Sequence, residues 1–493
     1  MTSLLQPHIF FTIWRSLFTL VSHHKGMRKP PGPKNRYPLE ILFKVQRDPL
    51  SFFEQNSALY PDYFSWTAGP QRVWALTRPD LTQKILTGHP THFEKGRALQ
   101  RSRVLLGNGL LTAEGEEHLQ HRRALQPAFR KDRIRRYAEV MMEETSSLLR
   151  AWPDSQTVEV DIHQEMMDLA LSIVARTLLG QSLSEDLRDD IGIALEQALS
   201  GFRISILPFF DLLRKLPLKV VRNFESSRDQ LHRIVMELVD QADPESSDSI
   251  LSLLPDATRQ QKLDHALTLL LAGHETTANA MTFAIYLLGR HPAALAQVEG
   301  ELDHVLQGRA PTSSDYPKLK YLRNVMEETL RLFPPAWMVG RKNLVPLEID
   351  GYQVKPGSIL LAPQWLMHRD SRYFASPDQF RPERWDEQTP EKGAYFPFGG
   401  GTRVCIGEGF ARMEAVLILA ALLQKYRPTL LSRQELEVYA GITLRPKDGL
   451  KVRFTPRAQQ KPSPRHNSTP RGEGLKYEAH SGCPIGAGRI SGG

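Results

Sequence analysis

Phe398-Gly399-Gly400-Gly401-Thr402-Arg403-Val404-Cys405-Ile406-Gly407 is the stretch on which the reading of this chain turns. Three successive glycines make a loop that a bulky group can approach closely. The run from Glu408 to Leu423 that follows has good helix formers and apolar residues at helical spacing. Cys405 therefore sits just ahead of a helix N-terminus, where unpaired amides and the helix dipole stabilise a thiolate. Arg403, two residues earlier, carries a guanidinium fork suited to a carboxylate. For a lone cysteine, an inert buried thiol after a turn would be the plainer reading.

Outward from that loop, residues 264–290 form a long apolar run at helical spacing, roughly 40 Å at 1.5 Å per residue. It is apolar nearly all round, so burial is expected. Gly273-His274-Glu275-Thr276-Thr277 interrupts its middle, and buried polar groups are costly without partners or a purpose. The same two ionisable residues argue against a membrane helix. A helix-bending threonine and a paired core glutamate are the blander readings of the pentad. Glu328 and Arg331 share a helix face at i, i+3, and Arg384 lies in Arg381-Pro382-Glu383-Arg384-Trp385. Residues 63–68 and 72–79 flank Gly69-Pro70 as a hairpin, and 344–361 read as short strands.

The complete pattern Phe398-x-x-Gly401-x-Arg403-x-Cys405-x-Gly407 leaves little to the inert-cysteine reading. It resembles the haem-thiolate loop of the cytochrome P450 family, and the resemblance runs from about residue 36 to 455. The fold it implies is mostly α with small β-sheets, one large domain with haem between a long central helix and the cysteine loop. The implied cofactor is haem b, its iron held by the Cys405 thiolate, which favours O–O cleavage. Phe398 and Arg403 would touch the cofactor. Ala272-Gly273-x-Glu275-Thr276-Thr277 matches the family's oxygen-binding segment. There Gly273 lets the helix pass close to the haem, and Glu275 and Thr276 are the acid and alcohol of a proton relay. Glu328, Arg331 and Arg384 match the family's structural Glu-x-x-Arg network. His118, Arg122 and Arg341 are the implied propionate contacts, and His368 is either a fourth or a turn-stabilising residue. Many family members carry Trp where this chain has His118; a histidine can still donate to a carboxylate.

Composition sets the frame. The chain has 493 residues, two cysteines and net charge +8. Two cysteines make neither a disulfide framework nor a four-thiolate metal site, and they suit a reducing cytoplasm. Residues 1–36 hold six Lys/Arg and no acid, and the tail beyond residue 454 is also basic, so the body is close to neutral. A nucleic-acid-binding core is thereby disfavoured. The expected layout is a basic extension over 1–36 with a Pro-rich hinge, a catalytic domain over 37–455, and a disordered basic tail over 456–493. Ile9–Val21 is too short to span a bilayer. It reads as a surface-lying membrane anchor, or as an extension ahead of a true start at Met27.

The resemblance implies a monooxygenase that uses dioxygen and two external electrons. Peroxide-using relatives of the fatty-acid type lack the acid–alcohol pair, so Glu275-Thr276 favours dioxygen. No Gly-x-Gly-x-x-Gly opens a strand–helix unit, so electrons are expected from a separate ferredoxin- or flavodoxin-type donor with its reductase. Arg122, Arg123, Arg130 and Arg412 would face an acidic donor. Phe202–Leu216 and Pro334–Val339 suggest a large apolar substrate without ionic anchors, a carotenoid or other isoprenoid. The rival functions are a fatty-acid hydroxylase or peroxygenase, and a non-catalytic haem gas sensor or electron carrier.

Overall fold

The computed structural model describes residues 29–36, 40–68, 71–153, 155–205, 219–242, 249–432 and 434–457. The segment 9–21, the tail beyond 457 and the side chains of 202–216 lie outside them.

The N-terminal part builds a sheet. Strands β1 (Tyr63–Ala68) and β2 (Gln71–Leu76) pair antiparallel from Tyr63↔Leu76 to Ala68↔Gln71. β3 (Phe93–Lys95) lies on the far edge. Helices α1 (Gly115–Leu125), α2 (Lys131–Ala151) and α3 (Ile162–Val174) follow, and then α4 (Arg259–Arg290) and α5 (Lys320–Leu332). β4 (Val339–Asn343) and β5 (Ile359–Ala362) return to the sheet, giving the order β1-β2-β5-β4-β3. Helix α6 (Glu408–Lys425) and the hairpin β6 (Val438–Ala440) with β7 (Leu444–Pro446) close the body.

The largest apolar core lies among α2, α3, α4, α5 and α6. Two smaller clusters lie against the sheet. Among the described residues no helix is long and apolar enough to cross a membrane.

The central helix α4 has 32 residues, about 48 Å at 1.5 Å per residue. It begins five residues before the apolar run. Thr258 and Gln261 form a capping box, so the polar turn Arg259–Lys262 is held without any apolar signal. Gly273 has a packing reason: a Cβ there would lie 2.8 Å from Val174 Cγ2. Its bare backbone therefore lets α3 cross closely, a packing role beside the one expected towards the cofactor.

The ionic network forms as its spacing suggests. Glu328 and Arg331 are fully buried and 2.8 Å apart, and Arg384 Nε lies 3.3 Å from Glu328 Oε1. Trp385 Nε1 donates to Glu328 Oε2 at 3.1 Å. Arg331 also donates to the carbonyls of His368, Pro377 and Gln379, and Arg384 to those of Ala375 and Ser376. The network thus pins the 368–384 meander that leads into the cysteine loop.

Candidate haem site

The cysteine loop is shaped by backbone conformation. Gly401 has φ +68°, and a Cβ there would sit 2.1 Å from the Leu86 carbonyl oxygen, so only glycine fits. Cys405 N donates to Phe398 O at 3.0 Å, and Arg122 Nη1 donates to Val404 O at 2.8 Å. The Phe398 ring lies under the Arg412 guanidinium, 4.7 Å from it. Cys405 is open to solvent-sized contact yet densely surrounded by protein atoms, as a side chain lining an internal hollow would be. Burial pushes its thiol pKa up, against the Gly407 amide and the Arg122 charge, while Glu408 adds to the rise. The helix N-terminus alone therefore does not make the thiolate; a bound metal cation deprotonates a coordinating thiol outright.

Beside the loop lies a buried cluster of cations. Antiparallel pairing sets Lys95 of β3 opposite Arg341 of β4. Lys95 Nζ donates to Leu110 O at 2.9 Å and Ala113 O at 2.6 Å. Burial first, then Arg403 and Arg341 among its neighbours, holds its pKa down at about 7, with only Glu114 raising it. Arg341 is lowered to about 10 by burial and then by Arg403. His118 is lowered to about 3 by burial, with Lys95, Arg403 and Arg122 adding repulsion. Arg403 pairs with Glu114 at 2.5 Å, but its buried Nη1 has no partner among the described residues. Lys95, Arg341 and Arg403 share one carboxylate, Glu114, and the neutral His118 lies beside them. A cluster so charged and so poorly paired suits a dianionic ligand, which is what a haem's two propionates present.

Lys95 and Glu114 were not singled out from sequence. Lys95 had a signal: in a strand it shares the inward face with Phe93. Glu114 had none, because its role arises from contacts with Lys95 N and Arg403.

On α4, every residue from Leu263 to Leu288 is buried except Ala272, Gly273 and Thr276. Ala272 and Thr276 are one turn apart, and Thr276 Oγ1 donates to Ala272 O at 2.7 Å. An accessible window one turn wide thus opens in an otherwise buried helix. Glu275 is buried. Its Oε1 accepts from Thr443 Oγ1 at 2.6 Å, and its Oε2 has no partner among the described residues. Burial raises its pKa, against the Thr443 hydrogen bond. His274 is buried and pushed down to about 4, so it is neutral. The acid and the alcohol therefore point different ways at rest.

His368 Nε2 accepts from Phe396 N at 3.1 Å, so of its two readings the turn-stabilising one is supported, and it holds the turn before the cysteine loop. Two expectations are corrected. Trp337 points into the core against Phe53 and donates to Gly441 O at 3.1 Å, leaving Ala336, Met338 and Val339 accessible. Arg412 is half-buried and paired with Glu327 and Glu408, so it offers little charge to a partner.

Comparison with known proteins decides the family. The cytochrome P450 family model matches residues 30–453. The chain belongs to the cytochrome P450 family. It is 37% identical to cyclooctatin synthase from Streptomyces melanosporofaciens over 78% of this chain and 86% of that protein. It is 33% identical to cyclooctat-9-en-7-ol 5-monooxygenase from the same organism, over 77% and 85%. The crystal structure of a mutant cytochrome P450DA haem domain superposes with a TM-score of 0.78 at 25% identity, covering 88% of this chain and 98% of that one. The protein is thus a P450 monooxygenase, an oxidoreductase whose family uses haem, and the buried cation cluster fits that cofactor.

Proposed function

We propose that this P450 inserts one oxygen atom from dioxygen into a large, apolar, ring-containing isoprenoid, with Cys405 as the axial thiolate. The observation that carries the site is the basic cluster of Lys95, Arg341 and Arg403, with neutral His118 as a further hydrogen-bonding group, beside the one accessible cysteine among the described residues. These four side chains would hold the propionates. Arg122 and the Gly407 amide would stabilise negative charge on the sulfur. Bound haem supplies the activation of dioxygen.

The chain's own part is protons and shape. Thr276 presents its hydroxyl in the accessible window of α4, tethered only to a carbonyl of its own helix. Rotation about one bond frees that proton for the substrate side. Glu275, deprived of water and with Oε2 unpartnered, holds a proton more readily than an exposed glutamate. The accessible apolar residues Ala272, Ala336, Met338 and Val339 carry no charge to anchor an ionic substrate. The relatives' names, cyclooctatin and cyclooctat-9-en-7-ol, point to ring compounds, the latter an olefinic alcohol. Electrons come from a separate ferredoxin- or flavodoxin-type donor and its reductase, with exposed Arg123 and Arg130 on the docking side.

A ferric-haem absorbance titration tests the substrate class, because loss of the water ligand shifts the Soret band. A cyclic terpenoid alcohol or a carotenoid should give a saturable shift. A shift with a long-chain fatty acid alone would replace the isoprenoid reading with alkyl-chain hydroxylation.

A further inference from the structure

The carboxyl of Glu275 is held by residues from two other elements. Thr443, beside β7, lies 2.6 Å from its Oε1 through the hydroxyl. Asn279, one turn along α4, approaches Thr443 Oγ1 through Nδ2 at 3.4 Å. His163, at the start of α3, lies 2.9 Å from Asn279 Oδ1 through Nε2. Asn279 is fully buried and Thr443 nearly so. The hairpin bearing Thr443 is itself fixed, since Leu444 N donates to Pro335 O at 2.8 Å and Gly441 O accepts from Trp337.

The directions of these hydrogen bonds are coupled. Burial keeps His163 neutral, so its two ring nitrogens are one donor and one acceptor. With the proton on Nε2, Asn279 must offer Oδ1 to the histidine and Nδ2 to Thr443. An amide N–H only donates, so the Thr443 oxygen accepts from it. The single hydroxyl proton of Thr443 is then directed at Glu275 Oε1. An oxygen that already accepts this bond is the carbonyl oxygen of the protonated acid. The acidic proton is left to Oε2, the atom without a partner.

We propose that Thr443, oriented through Asn279 by His163, is a positioning residue that confines proton exchange of the Glu275 carboxyl to Oε2. This rests on the reading of Glu275 as the acid of the proton relay. An asparagine amide does not conduct protons as a hydroxyl does, so the chain orients Glu275 and is not its proton source. The charged groups facing Glu275 are Arg445, which favours the carboxylate, and Glu196, which opposes it. These two lie 3.6 Å apart at the surface, so their fields partly cancel. His274 and His163 are both depressed by burial and add little charge. Thr443 is therefore the nearest group that decides between the two forms.

Infrared difference spectra of the haem-loaded protein across pH would report the protonated carboxyl, its band assigned by loss in Glu275→Gln. In Thr443→Val the band should move to higher frequency and its protonation midpoint should shift upward, because the donor to Oε1 is gone. Thr443→Ser should restore both. An unchanged band and midpoint in Thr443→Val, or no Glu275 band at any pH where the protein is folded, overturns the proposal. The underlying reading fails separately. With a ferredoxin, its reductase and a cyclic terpenoid alcohol, it fails if Glu275→Gln leaves dioxygen consumption and peroxide release unchanged.

Discussion

Glu328→Gln isolates the energetic claim about the buried network. The carboxylate accepts from Arg331 Nε at 2.9 Å and Nη2 at 2.8 Å, from Arg384 Nε, from Trp385 Nε1 and from the Arg381 amide at 3.0 Å. Its two cationic partners are 0% and 2% exposed at the side chain, so water cannot replace the lost charge. Glutamine keeps the shape but turns an NH₂ towards guanidinium donors. Breaking a buried ion pair from one side costs about 3–5 kcal/mol. That is a large part of the ~5–15 kcal/mol typical of a folded domain. The five backbone carbonyls that also accept from Arg331 and Arg384 keep the loss from going higher. The control is Glu387→Gln, which breaks a pair with Arg381 that is 35% and 52% exposed. Exposed pairs are worth about 0–1 kcal/mol. Urea unfolding of the haem-loaded variants, followed by far-UV circular dichroism, should separate the two by several kcal/mol. If Glu328→Gln costs no more than Glu387→Gln, the reasoning about an uncompensated buried charge is wrong.

Other outcomes follow from the same geometry. Lys95 has its pKa depressed to about 7 from an ordinary 10.5, and pairing with a propionate would raise it. Haem binding then takes up a proton at Lys95 between those values, while the Cys405 thiol, its pKa raised by burial, releases one. The ratio of wild-type to Lys95→Met haem affinity isolates the lysine: it should rise as pH falls from about 10 to 7 and level off below, and a ratio independent of pH would remove Lys95 from the site. Thr276→Ala should leave stability nearly unchanged, because the hydroxyl's partner is a carbonyl of its own helix. It should divert consumed electrons from product to peroxide, a drop of about 10²-fold or more in coupled turnover; unchanged coupling would mean that the hydroxyl carries no proton. Gly401→Ala places a Cβ against the Leu86 carbonyl at positive φ. Haem content after purification should fall severalfold, and full retention would show that the loop tolerates another path.

What was legible in the sequence shared one property: local spacing. The cysteine loop, the Glu328/Arg331 face, the β1–β2 hairpin and the apolar length of α4 all depend on residues a few positions apart. The true start of α4 was missed because its first turn is polar and is held by a cap, which carries no hydrophobic period. At Gly273 the spacing gives no hint of a second demand for glycine, which comes from Val174 on another helix. Arg412 read as a free charge because Glu327, far away in sequence, cannot be paired with it by pattern. Glu114, Thr443 and His163 escaped for the same reason. Each gains its meaning only where β3, α3 or the β6–β7 hairpin meets another element. Long-range contacts assembled the site's electrostatics, while local patterns marked its cysteine loop and its central helix.

The central claim is that Cys405 supplies a thiolate to haem iron. The most direct test is the Soret band of the reduced, carbon monoxide-bound protein, compared between wild type and Cys405→His. Wild type should show the strongly red-shifted band of thiolate ligation, and Cys405→His should keep haem and lose that shift. A red-shifted band that survives Cys405→His, or haem-loaded wild type without one, would contradict the account.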